Sequence, residues 1–106
     1  MPLVLTPNQE ASLADVAERW GVETFELFGS ALDDRFGPDS DVDLLVSFQP
    51  GVRVSLFDLA RMEIDLEAIL ERPVDLVMRV DIEQSHNPIR RSAILSSARP
   101  LYRDAA

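Results

Sequence analysis

Two aspartates at alternate positions of an apolar segment are the first residues whose type and spacing could do chemistry. Asp41 and Asp43 stand in "SDVDLLV", residues 40–46. Side chains alternate along a strand, so both carboxylates project to the same face, about 6–7 Å apart. Burying such a pair is unfavourable unless solvent, an arginine or a metal ion compensates the charge. On this spacing alone, all three remain open.

A third aspartate and a glycine–serine pair extend the pattern. Asp75 lies in the apolar segment "VDLVM", and if this segment neighbours the one holding Asp43, the carboxylates meet at one sheet edge. Three carboxylates can hold two divalent cations, which clamp the attacking and departing oxygens of a phosphoryl displacement. Gly29 lets backbone approach a phosphate closely, and Ser30 offers a hydroxyl and an N–H at the start of a helical turn. In this order, the residues predict a triphosphate site beside the cations.

The composition limits which metals and partners are possible. Cysteine is absent and His86 is the single histidine, so a metal must be held mainly by oxygen, which favours Mg²⁺, Mn²⁺ or Ca²⁺. The net charge is −9 and every basic residue is arginine. We therefore expect no direct nucleic-acid binding and favour a basic protein partner, although solubility explains the charge equally well.

The start of the chain and its apolar runs bear on localisation. "MPLVLTPNQE" lacks the basic n-region of a signal peptide. No apolar run approaches the roughly 20 residues needed to span a bilayer. We expect a cytoplasmic protein with no membrane association.

Capping signals and hydrophobic periodicity predict the elements that position these residues. Thr6 with Gln9, and Ser55 with Asp58, predict helix starts; Gly21 predicts the end of the first helix. The predicted elements are helix 7–20, strand 22–28, a helical turn at 31–35, strand 42–48, helix 55–70, strand 74–78 and helix 87–98, with 101–102 as a tail. The order α-β-α-β-α-β-α predicts an α/β fold of the α+β type: a small mixed sheet with helices packed on it, in one domain, 1–106.

One of these helices shows a strong apolar stripe. In the helix over 55–70, spacing predicts that six residues line the buried side: Leu56, Leu59, Met62, Leu66, Ile69 and Leu70.

The combined pattern resembles the DNA polymerase β-like nucleotidyltransferase superfamily, whose signature is Gly-Ser, a spacer of about ten residues, Asp-x-Asp and a later third acid. The matching residues are Gly29-Ser30, Asp41-Val42-Asp43 and Asp75. The short chain and "VSLFDLARMEIDLEAILERPVDLV" look more closely like the minimal nucleotidyltransferase (MNT) family, over roughly residues 13–102. The resemblance implies a nucleotidyltransferase fold.

The resemblance also implies roles for particular residues. Asp41 and Asp43 would bind two Mg²⁺ ions; Asp75 would bind the catalytic ion and help deprotonate the acceptor. Gly29 and Ser30 would hold the β- and γ-phosphates of ATP. Arg35 would substitute for the basic segment that many relatives have after Gly-Ser. The implied partner is a HEPN-domain toxin, neutralised when AMP is transferred to one of its hydroxyls, typically a tyrosine.

Two other functions remain open. Many relatives follow Gly-Ser with a basic segment, whereas this chain has Asp33 and Asp34 there. That difference favours a catalytically weak or inactive MNT-fold module that neutralises the toxin by covering it. A small-molecule nucleotidyltransferase ranks last, because such enzymes need a further acceptor-binding domain.

Overall fold

Asp43 and Asp75 lie on two neighbouring strands of a mixed sheet. The computed structural model of the chain describes residues 3–32, 37 and 40–104. The elements in that part, in chain order, are α1 Pro7–Trp20, β1 Val22–Phe28, a 3₁₀ turn Gly29–Leu32, β2 Val42–Phe48, α2 Leu56–Leu70, β3 Val74–Met78, α3 Arg79–Glu83, α4 Pro88–Ser97 and β4 Arg99–Arg103. The sheet order is β3-β2-β1-β4. β1 is antiparallel to β2 and β4, whereas β2 and β3 run parallel.

Side-chain caps set the ends of the two longest helices. At α1, Thr6 and Gln9 exchange hydrogen bonds between side chain and backbone. At α2, Ser55 and Asp58 form the same reciprocal pair. Gly21 ends α1 in the left-handed region, at φ 71°. Both predicted capping boxes are confirmed, and each satisfies two backbone N–H groups that a helix start leaves unpaired.

The main core lies between one face of the sheet and the helices α1 and α2. Val42, Leu44 and Val46 of β2 are on this helix-covered face, and each is at most 1% exposed. The core cluster from the other elements comprises Leu13, Val16, Ala17, Val22, Phe25, Leu27, Met62, Leu66, Leu70, Val74 and Leu76. Strand alternation then sends the side chains of Asp43 and Asp75 to the opposite face.

The opposite face, called the acidic face below, bears Asp43, Leu45 and Asp75. Leu45 is fully buried although it does not belong to the main core cluster. The short helix α3 packs against β2 and β3, and its Ile82 is 5% exposed. One part of the acidic face is therefore covered by α3, and the aspartates lie beside that covered part.

The exposed edge of β3 is closed by carboxylates from α2. Glu67 accepts a hydrogen bond from the Val74 N–H at 2.9 Å. The Leu76 N–H bonds to the Glu63 carboxylate, which lowers the pKa of Glu63, but burial and the nearby Asp75 charge raise it overall. Unpaired edge groups invite pairing with other chains. These two contacts block that edge and hold β3, with Asp75 between them, against α2.

Two elements of the structure, α3 and β4, were not predicted from the sequence. α3 is short, and its N-cap residue, Met78, makes no side-chain cap bond, so the sequence carries no start signal for it. β4 includes residues 101–102, expected as a tail, and contains Pro100 opposite Glu26 at a register shift. A proline argues against a strand in a sequence, but an edge strand tolerates it at such an irregularity. This is why the sequence did not predict β4.

α2 differs from expectation at its first residue. Met62, Leu66 and Leu70 are buried, and Leu59 and Ile69 pack partly against the core. The prediction for Leu56 is wrong, because its side chain is 84% exposed. Spacing cannot tell which of two apolar stripes on one helix faces the sheet.

Within the described ranges, no helix combines the length and apolar character needed to cross a membrane.

We expect Glu67→Ala to destabilise the fold by about 1–2 kcal/mol, because it leaves the Val74 N–H unpaired and removes a charge-assisted hydrogen bond. Urea unfolding measures the change. Glu18→Ala, which removes an exposed carboxylate from α1, is the matched control and should shift stability by less than about 0.5 kcal/mol. Equal losses in both variants would show that the β3 edge contact contributes nothing.

Candidate functional site

Asp43 and Asp75 are direct neighbours across two strands. They are register partners in the parallel β2–β3 pair, where strands lie about 4.8 Å apart and paired residues share a face. Asp41 stands just before β2 and is exposed. Its charge acts on Asp43, so all three acids lie within one small region at the N-terminal ends of β2 and β3.

The glycine–serine bend lies against Asp43. Phe28, the last residue of β1, is the register partner of Asp43. Gly29 follows with φ +74°, and an ideal Cβ there would be 2.5 Å from Asp43 Oδ2. A side chain at position 29 would therefore need strained backbone and would displace the carboxylate. The bend and the acids form one continuous region.

The pKa of Asp43 is raised above its ordinary value. Burial is the largest cause, followed by the negative charges of Asp75 and then Asp41. In the described part of the chain no arginine compensates them, since the ion pairs there are Arg19–Asp65 and Arg79 with Glu26 and Glu83. Of the three compensating agents that the sequence left open, an arginine is excluded among these residues.

The donor chemistry fits a hard divalent cation. Carboxylate oxygens at a partly buried position, next to a glycine bend and without a basic partner, are the ligands that Mg²⁺ takes. As the side chains lie, no three acid or histidine side chains among residues 3–32, 37 and 40–104 meet closely enough to hold one ion. The strands bring Asp43 and Asp75 together, and convergence of the Asp41 carboxylate with them remains a prediction.

The structure describes the remaining predicted site residues only in part. Ser30 lies in the 3₁₀ turn Gly29–Leu32, and its side chain is outside the description. Arg35, Asp33 and Asp34 all fall outside the described residues. Their predicted roles toward phosphate remain predictions.

Sequence reasoning missed an ion pair on the acidic face. Arg79 Nη1 lies 2.6 Å from Glu26 Oε1, and the Glu26 side chain is only 13% exposed. Glu26 is the register partner of Leu45, so the pair crosses over β2 and ties α3 to β1. Alternation within β1 could have placed Glu26 on this face, but nothing local to the sequence reveals a contact across 53 positions.

A second missed contact holds the chain just before Asp41. Arg72 Nη1 donates to the Gly37 carbonyl at 2.5 Å. The same carbonyl accepts the Ser40 N–H, and Gly37 N–H donates to Ser40 Oγ. Next in the chain, the Val42 N–H bonds to the Pro73 carbonyl. Arg72 and Pro73 therefore hold the described residues on either side of Asp41.

Comparison with known proteins identifies the class. Residues 11–101 match the nucleotidyltransferase domain family, and the chain belongs to that family. It is 39% identical over 69 residues to the protein adenylyltransferase MntA of Thermococcus cleftensis, covering 65% of this chain and 68% of that protein. The prediction of a nucleotidyltransferase enzyme is confirmed.

Comparison with solved structures gives a more specific assignment within this family. A structure assigned as a minimal nucleotidyltransferase is 35% identical, with a TM-score of 0.66 and coverage of 89% of both chains. The predicted resemblance to the minimal nucleotidyltransferase family is therefore confirmed as well. A toxin–antitoxin structure with AMP-PNP gives a TM-score of 0.67 at 16% identity, covering 91% of this chain and 74% of that one; at this identity it supports the fold alone.

The raised pKa of Asp43 predicts a stability gain from neutralising this residue. An acid whose folded pKa lies above its unfolded value stabilises the fold at low pH. That contribution is lost as pH rises from about the ordinary value of 3.8 through the raised one. Asp43→Asn should therefore match the parent near pH 3 and exceed its melting temperature by about 2–5 °C at pH 7 without divalent cations.

Thermal melts at several pH values measure this difference. Asp15→Asn removes an exposed acid from α1 and controls for the loss of one negative charge. If Asp43→Asn is no more stable than Asp15→Asn at pH 7, the burial and repulsion of the Asp43 charge do not destabilise the fold.

Proposed function

We propose that this chain is an antitoxin that transfers AMP from ATP to a hydroxyl group, typically of a tyrosine, on a HEPN-domain toxin. The observation that carries the proposal is the pairing of Asp43 with Asp75 in register beside Gly29, without a basic partner in the described residues. Such a site attracts cations and phosphate-bound metal and repels a bare triphosphate.

Each acid has a role in this proposal. Asp41 and Asp43 would hold two Mg²⁺ ions, and Asp75 would hold the catalytic ion. When bound, the ions neutralise charge on the phosphate oxygens and on the departing pyrophosphate. Backbone N–H groups at Gly29 and Ser30 would bind the β- and γ-phosphates, and Arg35 would add positive charge.

The reaction joins the acceptor oxygen to the α-phosphorus of ATP and breaks the bond to pyrophosphate. Asp75 accepts the proton that the attacking hydroxyl loses. Asp75 is well suited to this role because it is exposed, whereas Asp43 beside it is half-buried. Positioning and charge neutralisation supply most of the rate acceleration.

The relatives and the charge support a protein partner. The Thermococcus cleftensis relative is a protein adenylyltransferase, and this likeness supports a protein acceptor. The structural neighbour with AMP-PNP, which shares the fold, is a toxin–antitoxin. The net charge of −9 disfavours nucleic acid.

A second candidate is a binding module that neutralises the toxin without transfer. Asp33 and Asp34 follow the Gly-Ser pair where positive charge would face a triphosphate, and this is the observation that favours it. Both functions need a partner surface, and only the first needs Asp41, Asp43 and Asp75.

Labelled AMP should pass from ATP to the co-purified partner with the parent chain and not with the double variant Asp41→Asn, Asp43→Asn. The parent should also gain several degrees of thermal stability with Mg²⁺ and ATP, because a ligand that binds only the native state stabilises it. Asp15→Asn should keep both properties. Toxin neutralisation that persists in the double variant, without AMP transfer by the parent, would establish the binding module.

Gly29→Ala separates backbone strain from damage to the site. Gly29 and Gly51 both have positive φ, at +74° and +83°, but a Cβ at position 51 meets nothing within 4 Å. Both alanine variants should lose about 1 kcal/mol of stability from the strained backbone. Only Gly29→Ala should lose AMP transfer and the stabilisation by Mg²⁺ and ATP. Similar activity in both would remove Gly29 from the site.

A further inference from the structure

The outer side of α2 carries a second apolar stripe that the fold leaves in water. Phe57 and Ile64 are 83% and 65% exposed, and they lie seven residues apart, on the same side of a helix. Ala60, Arg61 and Ala68 share that side. We call residues 57, 60, 61, 64 and 68 the outer stripe; it points directly away from Met62 and Leu66 in the core.

The stripe has the features of an interface centre. Large exposed apolar side chains grouped on one element mark interaction surfaces more often than isolated ones do. Arg61 lies among them and has no ion pair or hydrogen bond to any described residue. By contrast, neighbouring acids of α2 are engaged: Asp58 caps the helix, Asp65 pairs with Arg19, and Glu67 binds Val74.

A second copy of this chain does not suit the stripe. Parallel packing of two α2 helices would place the two Arg61 side chains side by side. Antiparallel packing about the middle of the stripe would still leave them within about 5 Å along the axis, given a rise of 1.5 Å per residue. Like charges in an apolar contact are strongly unfavourable, and two chains of charge −9 also repel at long range.

We propose that the outer stripe docks a helix of the partner protein, whose apolar face carries an aspartate or glutamate that pairs with Arg61. The small side chains of Ala60, between Phe57 and Ile64, and of Ala68, one turn beyond Ile64, leave space on the stripe for the ridges of a second helix. Aromatic and arginine side chains dominate binding energy at protein interfaces. This inference rests on the proposed function for the identity of the partner.

Docking on this surface is separate from chemistry. α2 packs on the helix-covered face, and Asp43 and Asp75 project from the other face. Changes to the outer stripe therefore weaken the complex and leave Mg²⁺ and ATP binding intact. Changes to the acids have the opposite effect.

The test measures the affinity of the parent chain and its variants for the purified product of the neighbouring open reading frame. Phe57→Ser combined with Ile64→Ser, and separately Arg61→Glu, should each weaken binding by about tenfold or more. Ile89→Ser is the matched control, because Ile89 on α4 is also 83% exposed; its binding should stay within about twofold. All variants should keep the parent's melting temperature and its gain with Mg²⁺ and ATP.

Specific results would overturn the proposal. Unchanged binding by both stripe variants, or an equal loss with Ile89→Ser, would show that the partner contacts another surface. A parent chain that dimerises in sedimentation equilibrium, and becomes monomeric in the Phe57→Ser, Ile64→Ser variant, would assign the stripe to a second copy. A parent that does not bind the neighbouring product would refute this partner and the docking surface with it.

Failure of the proposed function gives a different pattern. The Asp41→Asn, Asp43→Asn variant should bind the partner with the parent's affinity. If the parent binds through the stripe and transfers no AMP, the docking surface stands and the enzymatic function does not.

Discussion

The structure depends on holding two like charges together. Asp43 and Asp75 occupy paired positions of parallel strands, where their repulsion opposes folding. The strands stay paired because their other sides bury Val42, Leu44, Val74 and Leu76 against the helices. Burial of apolar side chains on one face thus keeps the Asp43 and Asp75 carboxylates close together on the other, although they repel each other. A cation bound between them would remove this repulsion.

The helix α2 holds β2 and β3 in the register that brings Asp43 and Asp75 together. It connects two parallel strands, which requires a crossover, and its capped start fixes where the crossover begins. At its other end, Glu67 binds the backbone of β3. A slip of β3 by one residue would turn Asp75 into the core and Val74 out of it, so core burial and this contact both specify the register on which the site depends.

Local signals in the sequence predicted local structure well, and failed where the deciding contact is distant. Thr6 with Gln9 and Ser55 with Asp58 predicted helix starts because each capping box spans only four consecutive residues. The Asp41–Asp43 alternation predicts a shared face from an equally short segment, and this remains a prediction because β2 begins at Val42. Whether Asp75 neighbours Asp43 depended on how β3 pairs, which the spacing allowed without requiring. Leu56 was misassigned because periodicity describes a stripe without saying what covers it, and the Glu26–Arg79 pair joins segments that share no pattern.

The proposed chemistry and the proposed docking surface lie on opposite sides of the sheet, which explains why two functions fit one sequence. Neutralising Asp43 and Asp75 costs the fold no stability, since the repulsion between them only opposes folding. The outer stripe of α2 is equally independent of the core, because its side chains already lie in water. Transfer and partner binding are therefore not linked through stability. A variant without these acids would remain folded and keep the proposed docking surface, so fold stability does not separate the two proposed functions; AMP transfer to the partner does.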